Sequence, residues 1–168
     1  MESKEDPCNH CFSRMIEKRI RKNARINKIF SKGDKILAMD DMNKYLIKEI
    51  IKELPVTIYK RKKVDEAFIK KNKINKIATI WTMDDEAINT LKEFITRKKQ
   101  KKDKKIIKLL NVASDKELER LAKIHDIRFK PNKKDKKYSK IIEHMQQKYP
   151  DTKEKLLQSK KTLEKIGA

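Results

Sequence analysis

The apolar positions along this chain follow two spacings in turn, and each spacing predicts a different element. Short continuous apolar runs between turn residues predict buried strands, at 35–39, 55–60, 76–82, 104–112 and 127–131. Apolar residues three and four apart predict amphipathic helices, at 12–29, 42–54, 64–72, 84–95, 114–127, 137–148 and 151–165. Strands and helices therefore alternate through the middle of the chain.

This alternation predicts an α/β fold with one open, mostly parallel sheet of about five strands and helices on both faces. The 168 residues suit one domain with small additions. We divide the chain into a CxxC segment with a cationic helix at 1–30, an α/β domain at 31–132, and a C-terminal helical extension at 133–168 packed on the same domain.

Two pairs of adjacent aspartates follow predicted strands. Asp40 and Asp41 follow the first strand, and Asp84 and Asp85 follow the third. Ligands of open parallel sheets bind at the carboxyl ends of strands, and paired carboxylates suit a hard cation such as Mg²⁺. A simpler interpretation is a helix start, with Thr82 as the N-cap and the acids complementing the helix dipole. We favour the helix start, and the same interpretation applies to the first pair.

The charge of the chain points to a polyanionic partner. Its 46 basic and 25 acidic residues give a formal net charge of +21, concentrated towards the C-terminal half. Such a field attracts RNA or DNA, because neutralised phosphates release their counterions. Lysine far outnumbers arginine, so an A/T-rich coding bias is the alternative explanation. The candidate RNA-binding residues are Arg14, Lys18, Arg21, Arg25, Arg97, Lys98, Lys99, Lys101, Lys102, Lys133, Lys134, Lys136 and Lys137.

The only cysteines, Cys8 and Cys11, have the spacing of half a zinc site. A zinc ion would need further ligands from a second copy of the chain or from a partner, and the alternative is a pair of free thiols. A redox role is less favoured, because redox-active CxxC motifs follow a strand at the start of a helix.

No apolar run approaches the roughly 20 residues that a membrane-spanning helix needs. The N-terminal residues are polar and acidic, unlike a signal peptide. We therefore expect a cytoplasmic protein without a membrane partner.

Four segments, in order, resemble the PP-loop ATPases that 2-thiolate tRNA, the TtuA and TtcA type. They are "EKRIRKNARINKIFSKGDKILAMDD", "KIATIWTMDDEAINTL", "SDKELERLAKIHDIRF" and "IIEHMQQKYPDTKEKLLQS", within a match that runs from Cys8 to Ser159. The resemblance implies a Rossmann-like, HUP-type α/β fold, a tRNA substrate, and ATP bound at the carboxyl end of the first strand.

The chain departs from this family where the chemistry lies. The family's Ser-Gly-Gly-x-Asp-Ser loop is replaced by residues 40–45, "DDMNKY", and its Gly-His pair by Ile80 and Trp81. Cysteines of the catalytic domain are absent from the sequence. These departures imply a degenerate member without catalytic residues, in which ATP binding is lost. The vestigial nucleotide or Mg²⁺ residues would be Asp40, Asp41, Trp81, Asp84 and Asp85.

Such a protein would bind tRNA or another RNA, or serve as an accessory subunit in tRNA 2-thiolation. Its protein partner would be a second copy of itself or an active thiolation enzyme, and zinc at Cys8 and Cys11 is the one cofactor to consider. The alternative is an active ATP- and Mg²⁺-dependent tRNA-modifying enzyme with a diverged site that uses the paired aspartates.

Overall fold

Helices and strands alternate in the structure much as the apolar spacing predicts. The computed structural model describes residues 7–52, 54–98 and 103–166. The elements are α1 (Asn9–Ile26), β1 (Lys35–Ala38), α2 (Asp41–Ile50), β2 (Thr57–Lys60), α3 (Glu66–Asn72), β3 (Lys76–Ala78), α4 (Met83–Thr96), β4 (Ile106–Ile107), α5 (Asp115–Ile124), α6 (Lys136–Lys148) and α7 (Thr152–Lys165). The predicted α/β class is confirmed.

All the strands are parallel and lie in the order β2-β1-β3-β4. Since crossovers between parallel strands are right-handed, α2 lies on one face of the sheet and α3 and α4 lie on the other. On the first face, Ile36 and Ala38 of β1 pack with α1, α2 and α5. Leu37 points to the opposite face, where it packs with Ile77 and with Phe68 of α3.

The terminal helices pack against the sheet domain. Ile16 and Ile20 of α1 are fully buried in the same core as β1, so α1 is an integral part of that layer. Burial of each such isoleucine contributes about 1.5–3 kcal/mol relative to an exposed position. Helices α6 and α7 both contact α4 and each other, and Ile142 of α6 is buried. The C-terminal segment thereby covers the start of α4.

The predicted fifth strand at 127–131 is wrong, because the described residues form a sheet of four strands. The Ile127 N–H donates to the Ala122 carbonyl at 2.8 Å, closing the end of α5. Ile127 and Phe129 pack on the core while Arg128 and Lys130 are exposed. The alternating pattern was real, but it anchors a loop to the helical layer.

Several boundaries also differ from the prediction, and the third strand ends at Ala78 instead of Thr82. The fourth strand is only two residues long, and Leu109 and Leu110 are buried in the turn that follows it. Helix α1 begins at Asn9, three residues before the predicted start, with Cys8 as its N-cap. In the described ranges, no helix is both long and apolar enough to cross a membrane.

Candidate functional site

The carboxyl ends of β1 and β3 lie side by side, and the chain leaves them towards opposite faces of the sheet. Such a point, where the strand order reverses, is where open α/β sheets bind ligands. Asp40 follows β1 and caps α2, and Thr82 follows β3 and caps α4. The sequence-predicted acids are therefore brought to this edge of the sheet.

Asp40 satisfies the start of α2 with its own carboxylate. Its Oδ1 accepts from the Asn43 N–H at 2.8 Å, and its Oδ2 accepts from the Asn43 amide at 2.5 Å. Burial raises the pKa of Asp40, although the Asn43 hydrogen bonds oppose that shift. Asp41 forms an ion pair with Lys60. A helix N-terminus that could receive a phosphate is thus occupied by a side chain of the protein itself.

The predicted helix start at Thr82 is confirmed. The Thr82 N–H donates to Asp85 Oδ2 at 2.9 Å, and the Asp85 N–H donates to Thr82 Oγ1 at 3.4 Å, which forms a capping box. Asp84 Oδ2 accepts from the Asp115 N–H at 2.7 Å and so joins the starts of α4 and α5. The Ser114–Glu117 capping box predicted for α5 is also present.

Three lysines from the C-terminal segment form ion pairs with acids of α4 and with the acid that begins α5. We call these groups the acid–lysine cluster, and its members are Asp84, Asp85, Glu86, Glu93, Asp115, Lys134, Lys153 and Lys160. Lys134 Nζ lies 2.6 Å from Asp85 and 3.1 Å from Asp115, and Lys153 pairs with Asp84. Lys160 Nζ lies 3.0 Å from Glu86 and 2.9 Å from Glu93.

Burial and lysine pairing act against each other within this cluster. Burial raises the pKa of Asp115, and hydrogen bonds from Thr82 and Lys134 only partly offset the rise. For Glu86, burial acts in the same direction, but the hydrogen bonds and charges of Lys108 and Lys160 prevail and lower its pKa. Burial opposes charge on Lys160 as well, yet Glu93 and Glu86 raise its pKa. Glu86 and Lys160 are therefore held in their charged forms.

Trp81 lies beside this cluster and is half-buried. Its indole N–H donates to Glu86 Oε2 at 2.5 Å, and Lys108 Nζ lies 4.0 Å from the ring centroid. The contact with Glu86 holds the indole against the first turns of α4, and the contact with Lys108 connects it with the residue that follows β4.

A pocket of about 590 Å³ opens between the starts of α4 and α5 and the helices α6 and α7. Its ionisable lining comprises five acids and three lysines: Asp84, Asp115, Glu117, Glu143, Glu154, Lys116, Lys134 and Lys153. Because acids outnumber lysines, the lining does not favour a polyphosphate. A second pocket of about 520 Å³ includes four cationic residues that the sequence interpretation did not select, Lys44, Lys48, Lys60 and Arg128.

The cationic face of α1 is exposed along its length. Arg14, Lys18, Arg21 and Arg25 are all solvent-exposed, on the side of the helix away from Ile16 and Ile20. Their separations of four, three and four residues place them in one stripe, which we call the α1 stripe. Of these side chains, Arg21 also donates to the Glu49 carbonyl, at 3.2 Å.

The two other basic runs, at 97–102 and 133–137, are only partly available as an exposed surface among the described residues. Arg97 and Lys98 are exposed at the end of α4, and Lys99, Lys101 and Lys102 lie outside the described residues. In the last run, Lys133, Lys136 and Lys137 are exposed, whereas Lys134 belongs to the acid–lysine cluster.

Cys8 and Cys11 are exposed at the start of α1. The Cys11 N–H lies 3.4 Å from Cys8 Sγ, and this hydrogen bond lowers the pKa of Cys8, while the hydrogen bond and charge of Cys8 raise the pKa of Cys11. Across the residues that the structure describes, no group of three or more His, Cys, Asp or Glu side chains is arranged to hold a metal ion.

Comparisons with known proteins establish the fold. No protein-family model matches the sequence, and no curated protein matches it either. Among solved structures, the U34-tRNA thiolase NcsA from Methanococcus maripaludis, determined with its 4Fe-4S cluster, superposes with a TM-score of 0.70 over 94% of this chain and 80% of that one. The two chains share a fold. Their identity is 15%, and the α/β architecture that the resemblance implied is therefore confirmed at the level of fold.

The residues present do not fit the iron–sulfur cluster of that neighbour. Such clusters are commonly held by four cysteine thiolates, and this sequence contains two cysteines, both at the start of α1. The sequence therefore lacks the ligand set that such a cluster needs.

Sequence reasoning missed the partners of the paired aspartates. Lys153 and Lys160 lie far along the chain from α4 and were not selected as site residues. One signal was available for Lys153, because it lies in the "PDTK" part of the fourth matched segment. Nothing in the local pattern distinguishes Lys160 from its many lysine neighbours.

Proposed function

We propose that this protein binds RNA, with tRNA as the expected class, and that it acts without ATP-dependent catalysis, as an accessory or degenerate relative of the tRNA-thiolating enzymes. One observation carries the proposal. At the edge of the sheet where a nucleotide would bind, the carboxylates are already engaged within the protein: Asp40 caps α2, Lys134 pairs with Asp85, and Lys153 pairs with Asp84.

These contacts oppose both parts of a Mg²⁺–nucleotide complex. The carboxylate of Asp40 lies at the start of α2, where it would repel a phosphate that the helix dipole could otherwise attract. Mg²⁺ needs oxygen ligands in a near-octahedral arrangement. The carboxylates of Asp84 and Asp85 are instead paired with the ammonium groups of Lys153 and Lys134.

The α1 stripe supplies the positive surface for RNA. Its first and last residues are separated by 11 steps of the helix, about 16 Å, which is long enough to meet several successive phosphates. Three of the eight arginines of the chain lie in the α1 stripe, a concentration that a coding bias towards lysine does not explain. Arginine also donates bidentate hydrogen bonds to phosphate.

The structural neighbour supports tRNA as the RNA class, because that protein is a U34-tRNA thiolase. An accessory role in thiolation would place this chain in a complex with an active thiolation enzyme or with a second copy of itself. Co-purification of RNA and protein with the tagged chain would identify which complex forms.

Incubation with MgATP and unmodified tRNA tests the absence of catalysis. We expect no AMP or ADP above the background of a no-protein reaction, and no saturable MgATP binding by calorimetry. Formation of AMP or ADP that disappears in Asp84→Ala but persists in Glu119→Ala, an exposed acid on α5, would establish an enzyme and overturn the proposal.

A further inference from the structure

Because α1 begins three residues before the predicted start, the two cysteines lie at the N-terminus of the helix instead of ahead of it. Cys8 is the N-cap of the helix and Cys11 lies in its first turn. Positions three apart on a helix have Cα atoms about 5 Å apart. That separation lies within the range of roughly 4.4–6.8 Å that a disulfide spans. The Cα separation therefore permits a disulfide between the two cysteines.

Both cysteines are exposed, and a cationic side chain lies near them. Cys8 and Cys11 are exposed, and the Cys11 N–H lies 3.4 Å from Cys8 Sγ. The Arg120 side chain is held nearby, with its guanidinium 2.7 Å from the Pro7 carbonyl oxygen and 4.2 Å from the centroid of the Phe12 ring. Among the described residues, no third metal-ligating side chain joins the pair.

We propose that Cys8 and Cys11 form a reversible dithiol–disulfide pair that exchanges with the disulfide of another thiol compound or protein. This inference is independent of the proposed RNA binding. It also revises the sequence-based preference against a redox role in one respect, because the pair lies at the start of a helix, as redox-active CxxC motifs do.

The exchange proceeds in two balanced steps. The Cys8 thiolate attacks one sulfur of an external disulfide, the external S–S bond breaks, and one external thiolate leaves. The Cys11 thiolate then attacks the Cys8 sulfur of the mixed disulfide and releases the second external thiolate. The two cysteines lose two electrons, the external disulfide gains them, and the two thiol protons pass to the released thiols.

In the test, the full chain is equilibrated with mixtures of reduced glutathione and glutathione disulfide. An alkylating reagent then stops the exchange, and mass spectrometry identifies the products. We expect two main species, one alkylated at both cysteines and one alkylated at neither. Because the helix N-terminus stabilises the reduced Cys8, the internal disulfide should be about threefold easier to reduce in the folded protein than in the same chain in guanidinium.

Single serine variants separate the two roles. Serine is itself a good N-cap, so Cys8→Ser keeps the start of α1, which circular dichroism checks. In Cys11→Ser, the mixed disulfide with Cys8 should accumulate, since no second thiol resolves it. In Cys8→Ser, formation of the mixed disulfide at Cys11 should slow by about threefold or more.

Two results would overturn the inference. One is accumulation of stable mixed disulfides on both cysteines of the wild-type chain with no internal disulfide. The other is a stoichiometric zinc ion in the purified protein that both cysteines hold and that blocks their alkylation.

Discussion

Replacing Lys134 by methionine probes the acid–lysine cluster most sharply. Its ammonium group lies between Asp85 and Asp115, at 2.6 and 3.1 Å, and also within 3.3 Å of Thr82 Oγ1. Methionine has a side chain of similar volume but carries no charge. Two neighbouring carboxylates would then face each other at the starts of α4 and α5 without a cation between them.

The size of the effect follows from the burial of the three side chains. Lys134, Asp85 and Asp115 are 18%, 9% and 20% exposed, so solvent still reaches the cluster. Breaking a fully buried ion pair costs roughly 3–5 kcal/mol, and partial exposure reduces this to about 2 kcal/mol here. For a chain of this length, that loss corresponds to a fall in Tm of about 4–8 °C.

Lowering the pH should partly restore the stability of the Lys134→Met variant. Burial already raises the pKa of Asp115, and loss of Lys134 raises it further. A carboxyl group whose pKa is higher in the folded state than in the unfolded state destabilises the fold while it is charged. This destabilisation disappears as the pH falls from above the folded-state pKa to below the unfolded-state pKa. The difference in stability from wild type should therefore shrink between pH 7 and the ordinary aspartate value of 3.8.

Urea unfolding at several pH values measures both effects. Lys133→Met, at the exposed neighbouring position, is the matched control and should change stability by no more than about 0.5 kcal/mol. If Lys134→Met matched this control at pH 7, or if its loss of stability did not depend on pH, the interpretation of the cluster as acids stabilised by lysine pairing would be wrong.

Two further stability predictions concern the caps and turns at the two ends of β1. Asp40→Ala should cost about 1 kcal/mol through loss of the α2 N-cap while Asp40→Asn retains most of it, as measured by urea unfolding; equal effects of the two would contradict the capping role. Burial opposes the charged form of Asp34, but hydrogen bonds from Lys76, Ser31 and Asn75 outweigh it and lower the pKa of this carboxyl group. Its stabilising contribution is therefore present above the ordinary aspartate value of 3.8 and is lost as the pH falls through the lower folded value. Asp34→Asn should therefore lose about 2 kcal/mol at pH 7 and become less sensitive to acid than wild type, and an unchanged acid-unfolding profile would refute this.

Local patterns were sufficient for much of the fold, because the signals were themselves local. Thr82 and Ser114 each precede an acid by three residues, and both form the capping boxes expected of that spacing. The apolar residues of α1 recur every four positions, and Ile16 and Ile20 are buried as that period requires.

The errors arose where a pattern has more than one structural cause. Alternation at 127–131 indicates that every second residue is buried, but it does not specify whether the partner is a strand or a helical layer. The cap of α1 was missed because cysteine is not among the usual N-cap residues.

The candidate site was less accessible to prediction than the fold. The aspartates could be placed at the edge of the sheet from the strand–helix alternation, but their state depends on lysines 49 to 69 residues away along the chain. In a chain so rich in lysine, only the packing of α7 on α4 distinguishes Lys160 from its neighbours.

The salt dependence of tRNA affinity tests the proposed function most directly. The measurement compares the wild-type chain with a variant in which the α1 stripe, Arg14, Lys18, Arg21 and Arg25, is changed to glutamine. Its matched control changes four exposed lysines elsewhere, Lys62, Lys63, Lys70 and Lys71, and so removes the same net charge.

We expect the α1 variant to bind tRNA more weakly and to reduce the slope of log K against log salt by about three, because each lost phosphate contact removes about 0.7–0.9 from the slope. The control should keep most of the wild-type affinity and slope. If the two variants lost affinity and slope equally, RNA attraction would reflect net charge alone, and the proposal of an RNA-binding surface on α1 would be contradicted.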